Sequence, residues 1–207
     1  MEAHETHEMM HHAAHGGHED HAGQGHGASN RNKLIAVLIS IMACILSIVE
    51  IGANSSQNTS LAANIDASNL WAFYQAKTVR MTLTRSFSEM LETTIPDGLS
   101  VDKSAAWKKR IADFQATSQR MDSEPQTGEG RKELMVKAKA AEALHKKALH
   151  AYHLYEYSAA AMQIGIVLAS ASAATGVLAL LYLASGLAVV GTAIGAVAWL
   201  APTLIHL

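Results

Sequence analysis

Histidine is the residue type in this sequence that most clearly could do chemistry, and it is concentrated at the N-terminus. Eight of the first 26 residues are histidine, and five acidic residues lie among them. Imidazole is a good ligand for Zn, Ni and Cu, and spacings of three and four residues would align several rings on one face of a helix. The candidate metal ligands are His4, His7, His11, His12, His15, His18 and His21.

Two interpretations of this tail, residues 1–33, stay open. In the first, it binds or delivers Zn, Ni or Cu specifically. In the second, it is a flexible low-complexity segment that binds these metals weakly, as any histidine-rich peptide does, and five glycines between residues 16 and 27 favour that view. Under either interpretation the protein requires no cofactor.

The sequence contains none of the common catalytic motifs. It has no phosphate-binding loop, no HExxH, no paired cysteines and no nucleophile elbow, and its single cysteine, Cys44, lies in an apolar segment. The net charge of −2 argues against nucleic acid as a partner. We therefore predict that the protein is not an enzyme and does not bind nucleic acid.

Charge is distributed unevenly along the 207 residues, and this distribution predicts the membrane segments. Residues 34–53 contain one charged residue, Glu50, and residues 158–207 contain none. A helix of about 20 apolar residues, rising about 1.5 Å each, crosses a hydrocarbon core of about 30 Å. We predict an uncleaved transmembrane helix over residues 34–53, with Glu50 at its outer, water-exposed end.

The C-terminal 50 residues are too long for one span. We expect a transmembrane hairpin over residues 158–207, with helices at 159–183 and 187–205. The predicted turn is 184–186, Ala-Ser-Gly, because glycine supplies the backbone freedom of a tight reversal.

Basic residues near the first span predict the orientation. Arg31 and Lys33 precede it, whereas the first base after it is Lys77. Because lysine and arginine near a span favour the cytoplasmic side, we expect a cytoplasmic N-terminus and an extracytoplasmic domain over residues 54–157.

That middle domain reads as helical, with breaks at residues 95–98 and 123–128. The candidate helices are about 57–94, 100–122 and 129–157, with residues 54–56 loosening the join to the first span. The third helix has a heptad seam of Leu134, Ala138, Ala141, His145, Ala148, Tyr152 and Tyr155. The first has an apolar stripe of Ile65, Ala72, Ala76, Val79, Leu83, Phe87 and Met90. We predict that stripe and seam pair in a coiled-coil-like hairpin, and that the third helix continues unbroken into the second span.

Two short segments of this chain resemble a known family. Residues 68–77, SNLWAFYQAK, resemble the "DQWAYYQAK" signature of bacterial membrane proteins in domain-of-unknown-function family 4337, and residues 162–166, MQIGI, resemble the family's "FQIAI" at the start of the second span. The order of tail, span, helical middle and two spans agrees over essentially the whole chain. Members often carry Asp where Asn69 or Leu70 stands, and basic residues in the hairpin turn. The resemblance implies architecture and a bacterial inner (cytoplasmic) membrane, but no activity.

Two groups of residues are candidates for contacts with other subunits. Trp71, Phe73, Tyr74 and Gln75 place large side chains around the whole helix circumference, so either several helices meet there, as in an ordinary core layer, or subunits do. Gly191 and Gly195 form a GxxxG motif, which favours close packing within the hairpin or between chains.

Together these patterns predict an all-α integral membrane protein with three transmembrane helices and a helical coiled-coil-like domain inserted between the first and second. We expect a homo-oligomeric scaffold or an accessory subunit of a larger membrane complex, in contact with lipid and with other membrane-protein subunits. The alternative is metal delivery by the tail. A third hypothesis is a small homo-oligomeric channel, for which only Thr192, Thr203 and His206 offer polar lining.

Overall fold

The computed structural model describes residues 25–96 and 98–203. Within those ranges the chain forms no β-strand and four α-helices: α1 (Gly25–Thr93), α2 (Val101–Asp122), α3 (Arg131–Thr175) and α4 (Leu178–Leu200). Helices α1, α3 and α4 are long and apolar enough to cross a membrane. The predicted all-helical class is confirmed for these residues.

Helix α1 is the spine of the molecule. Its 69 residues extend over about 100 Å. Helix α3 runs antiparallel to α1 along the N-terminal two-thirds of α1, so that Ile35 packs near Ala169. Helix α2 packs along the remaining third of α1. Helix α4 packs mainly against the C-terminal part of α3. The fold is therefore a three-helix bundle at one end, which continues as a two-helix shaft.

The contact face of α1 follows a seven-residue repeat along the helix. In the shaft its buried or half-buried members are Ala63, Ala67, Leu70, Tyr74, Lys77, Met81, Thr84 and Ser88. All seven residues of the seam predicted on α3 are likewise buried or half-buried. Alanine on both helices lets the two backbones approach closely, as the seam predicted.

The helix boundaries agree with the predicted breaks in the middle domain and differ at the first span. Helix α1 ends at Thr93, before Pro96 and Gly98, and Gly98 has the positive φ of 83° that favours glycine. Helix α1 runs without interruption through residues 54–56, so the predicted loosening there is wrong. It also begins at Gly25, inside the segment predicted to be a flexible tail.

The predicted hairpin turn is wrong by about nine residues. Helix α3 ends at Thr175 and α4 begins at Leu178, so neither span has the predicted bounds of 159–183 and 187–205. The reversal falls at Gly176, which has a φ of 76° and donates its backbone N–H to the Ser172 carbonyl. Ala184, predicted to lie in the turn, is fully buried inside α4. A left-handed cap favours a residue without Cβ; both Gly176 and Gly186 lack one, and Gly176 is the glycine with the left-handed φ.

Candidate functional site

The two glycines of the GxxxG motif pack inside the three-helix bundle. A Cβ on Gly191 would lie 3.2 Å from the Ser158 carbonyl oxygen, and one on Gly195 would lie 3.2 Å from Val49. The buried hydroxyl of Ser158 donates a 2.7 Å hydrogen bond to the Gly191 carbonyl. Both glycines are buried in contacts within the chain, as in the first of the two packing arrangements predicted for them.

An open groove lies beside this bundle, between α1 and α4. Its volume is about 680 Å³, and its lining includes Ile48, Gly52, Ser55, Tyr155, Gly195 and Trp199. The sequence does not predict this groove, because the groove exists only where α4 packs on α3 and makes few contacts with α1.

The structure divides the predicted contact group between two sides of α1. This group consists of Trp71, Phe73, Tyr74 and Gln75. Trp71 and Tyr74 are half-buried toward α3, whereas Phe73 is 62% exposed and Gln75 is exposed. The prediction that one helix partner cannot cover all four is consistent with this placement. Phe73 and Gln75 are therefore the members with surface free for another molecule.

Polar contacts hold the inward half of this group. Trp71 Nε1 donates a 2.7 Å hydrogen bond to Glu142 Oε1 of α3. The Trp71 and Tyr74 rings meet edge to face, with centroids 5.3 Å apart, and the Arg131 guanidinium lies 5.8 Å from the Tyr74 ring centroid. These contacts set the register of α3 on α1 where α3 begins.

A cluster of charges joins the end of α2 to the start of α3. Arg131 Nη2 and Lys132 Nζ each lie 2.7 Å from a carboxylate oxygen of Asp122. The hydrogen bond from Lys132 is the main cause that lowers the pKa of Asp122 below its ordinary 3.8, and Arg131 adds to it. The cluster fixes the end-to-end arrangement of α2 and α3 along α1.

The loop between these helices is closed by hydrogen bonds. The Ser123 hydroxyl donates a 2.6 Å bond to Glu133, which lowers the pKa of that carboxyl. Lys137 Nζ donates a 2.8 Å bond to the carbonyl of Gly128, whose φ is 66°. This loop is an ordered connection with no exposed catalytic group among its hydrogen-bonded side chains.

The histidines singled out in the sequence are the candidate metal ligands of the tail and His145 of the α3 seam. The seven candidate metal ligands from His4 to His21 lie outside the described residues, so their proposed metal binding stays a prediction. On the seam, His145 Nδ1 lies 2.9 Å from the Ser60 hydroxyl and 3.0 Å from the Ser60 carbonyl oxygen. Across residues 25–96 and 98–203, no group of three or more His, Cys, Asp or Glu is placed to hold a metal ion.

Glu50 is exposed near the end of the first apolar segment, as expected from its position. Its carboxylate lies 3.5 Å from Gln163 Nε2 of α3. Of the polar residues considered for a channel, Thr192 is exposed and donates its hydroxyl to the Ala188 carbonyl of its own helix, while His206 lies outside the described residues.

The apolar stripe predicted on α1 is exposed. The exposed fractions of its large residues are 60% for Ile65, 58% for Val79, 51% for Leu83, 47% for Phe87 and 54% for Met90. The prediction that this stripe pairs with the α3 seam is wrong. The face that contacts α3 and α2 is the buried and half-buried repeat from Ala63 to Ser88 on the opposite side of α1.

The described chain thus belongs to a class of all-helical proteins with three membrane-competent helices and a long two-helix shaft. A family model described as "Domain of unknown function (DUF4337)" matches residues 31–201, and the chain belongs to that family. No curated protein and no solved structure gives a significant match.

Proposed function

We propose that this chain is an integral membrane protein whose function is assembly. The bundle formed by residues 34–53, the C-terminal part of α3 and α4 crosses the bilayer three times. The two-helix shaft projects from it as a stalk, which serves as an oligomeric scaffold or as an accessory subunit of a larger membrane complex. The protein performs no enzymatic step of its own.

The observation that carries the membrane part of this proposal is the change in surface chemistry along continuous helices. In the bundle, the exposed side chains are large and apolar, among them Leu34, Ile41, Ile48, Val167, Leu183 and Val189. In the shaft, α1 and α3 carry many charged residues. A contiguous apolar surface of this extent is unfavourable in water and favourable in hydrocarbon.

The dimensions of the bundle support the same proposal. Ile35 packs with Ala169 and Ala184 at one end, and Gly52 contacts Tyr155 at the other. Residues 35–52 rise about 27 Å, close to the thickness of a hydrocarbon core of about 30 Å. Tyr152, Tyr157 and Trp199, all near the shaft end, suit a membrane interface.

The orientation we propose follows from the two bases before the first span. Arg31 and the Gly176 turn lie together, since the Arg31 guanidinium is 3.4 Å from a Cβ built on Gly176. Arg31 and Lys33 therefore favour a cytoplasmic location for this end, for the N-terminus and for the turn. The shaft is then periplasmic in a bacterial inner membrane.

Two experiments test the proposal. Alkaline extraction of membranes should leave the chain in the lipid pellet, and reporter fusions at residues 20, 110 and 207 should report cytoplasmic, periplasmic and periplasmic locations. Pull-down from native membranes should recover either further copies of the chain or membrane-protein subunits. Protein that stays dissolved in plain buffer, or a strict monomer with no co-purifying subunit, contradicts the proposal.

A further inference from the structure

We infer that the exposed stripe of α1 is the surface on which a second copy of this chain docks, parallel and in register. The inference rests on the proposed function, because it needs both copies anchored in one membrane with one orientation. We call this surface the outward seam and define it as Ile65, Asn69, Ala72, Ala76, Val79, Leu83, Ser86 and Met90. All eight residues are exposed.

The spacing of the outward seam is that of a coiled coil. Its residues alternate at intervals of four and three over 26 residues, which is nearly four heptads and about 39 Å of helix. Three to four heptads are the length at which such a repeat indicates a coiled coil. The two central alanines, Ala72 and Ala76, allow two α1 backbones to approach closely.

The buried face of α1 has a seven-residue period, and this period keeps the outward seam parallel to the helix axis. Ile35, Met42 and Val49 are seven residues apart and buried, and the buried repeat continues through Ala63 to Ser88. An undistorted α-helix would rotate by about 20° per heptad relative to such a repeat. Because the buried face follows the seven-residue period along the helix, the seam on the other side follows it as well.

The outward seam lies outside the proposed bilayer, so lipid does not cover its apolar residues. Exposed apolar residues between Leu34 and Ile51 need no protein partner under the proposed function, because hydrocarbon covers them where another helix does not. Ile65, in contrast, is 12 residues and about 18 Å beyond Ala53, and Met90 is farther still. Helices α2 and α3 pack on the opposite face of α1, and Phe114 of α2 reaches its flank at Phe87, where the ring centroids are 6.0 Å apart. Burial of the seam therefore requires a partner on the water-exposed side.

A second copy fits because each seam residue would face its own counterpart. Two chains anchored in the same membrane hold their α1 helices parallel and at the same height, so no shift in register is needed. With Asn69, Ala76, Leu83 and Met90 at the a positions, one asparagine falls at the core of the pair. A single asparagine at such a position specifies parallel register through a hydrogen bond between the two amides.

The residues beside the seam also suit self-association. In a parallel pair, each g position faces the e position five residues later on the other helix. These pairs place Gln75 beside Arg80 of the second copy, and Thr82 beside Phe87 of the second copy. No pair within the seam brings two like charges together. Phe73, the exposed member of the aromatic group, gains cover from the second copy.

Cys44 provides a natural probe of this arrangement. The same alternation continues toward the N-terminus through Ala62, Asn58 and Ser55 and then through Ile51, Ile48, Cys44 and Ile41, all of which are exposed. Cys44 falls on a d position, where two parallel helices place identical side chains opposite each other. The inference therefore predicts that two native cysteines approach each other inside the bilayer.

Oxidative cross-linking of the full chain in native membranes tests the inference. The unaltered protein should form a Cys44-linked dimer, and C44A should not. In the C44A background, I65C and L83C should each cross-link severalfold more than their matched controls, N64C and R85C. Those controls replace exposed residues that point away from the seam, since adjacent helical residues are about 100° apart.

The outcomes separate this inference from the proposed function. Equal cross-linking of seam and control positions, or none at either, in protein recovered from the membrane pellet would overturn the outward seam alone. So would a seam cross-link to a different protein, which would identify the seam as a site for another subunit. Failure of the chain to enter the membrane pellet would overturn both. Circular dichroism of each variant checks that its helices are intact.

Discussion

The ring of Tyr155 lies directly against the backbone of Gly52. A Cβ built on Gly52 would be 2.8 Å from Tyr155 Cζ and 2.9 Å from Cε1. Val49, Ala151, Leu154 and Ala198 complete the buried cluster around this tyrosine. The contact lies where the three-helix bundle becomes the two-helix shaft, so it sets the distance between α1 and α3 at that junction.

Gly52→Ala should therefore destabilise the junction. The added methyl group overlaps an aromatic ring that is itself buried, and overpacking of this kind costs about 1–3 kcal/mol. Gly186→Ala is the matched control, because nothing lies within 4 Å of a Cβ there and alanine favours the helix by about 0.5–1 kcal/mol. Unfolding of the purified protein in detergent, followed by circular dichroism, compares the two. Equal stability of both variants would contradict the contact.

Ser158→Ala should weaken the packing of α3 on α4. The substitution removes the 2.7 Å hydrogen bond to the Gly191 carbonyl. Hydrogen bonds between helices in a membrane average about 0.6 kcal/mol and reach about 1.7 kcal/mol. Ser170→Ala is the control, since the exposed Ser170 hydroxyl bonds only to the Ile166 carbonyl of its own helix. The same unfolding assay should show a loss for Ser158→Ala and little change for Ser170→Ala.

Substitution of glycines locates the hairpin turn. Gly176→Ala forces a Cβ into a left-handed conformation, which costs about 1–2 kcal/mol. Gly176→Asn should cost less, because asparagine tolerates that conformation. In thermal unfolding in detergent, the wild type should be the most stable, Gly176→Asn should be less stable, and Gly176→Ala should be the least stable. If Gly186→Ala is destabilising and Gly176→Ala is not, the turn lies at residues 184–186 after all.

Acid should weaken the junction between α2 and α3 through Asp122. Folding lowers the pKa of this carboxyl below 3.8, so the folded chain binds fewer protons there than the unfolded chain. The stabilisation is therefore complete above pH 3.8 and is lost as the pH falls through the lower, folded pKa. Asp122→Asn should cost about 1 kcal/mol or less at pH 7, since the group is partly exposed.

The measurement for Asp122 is the difference in unfolding free energy between wild type and Asp122→Asn at pH 7 and near pH 3. That difference should shrink as the pH falls. Asp113→Asn, at an exposed carboxylate on α2, controls for the loss of one negative charge. A difference that is independent of pH would show that the Asp122 cluster does not stabilise the fold.

Local sequence patterns were sufficient for the helical segments and for the helix ends of the middle domain. Apolar runs without charge identify the membrane-competent segments, and Pro96 with Gly98 ends α1, because these signals act within a few residues. The α3 seam was also readable, since its heptad spacing persists over 22 residues. The hairpin turn was not, because hydropathy is uniform on both sides of Gly176 and two glycines could serve. Counting about 20 residues from Tyr155, the last charged-side tyrosine of the seam, would have reached residue 175.

The two faces of α1 show most clearly what the sequence determines and what only the tertiary structure decides. By itself the sequence determined that residues 34–53 and 57–94 are helical and that the second of these segments has an apolar stripe containing Ile65 and Leu83. Only the tertiary structure decided that α3 packs on Ala63 and Ala67 instead. The physical reason is that helix periodicity identifies every face that can pack, whereas the closeness of two backbones depends on both helices at once.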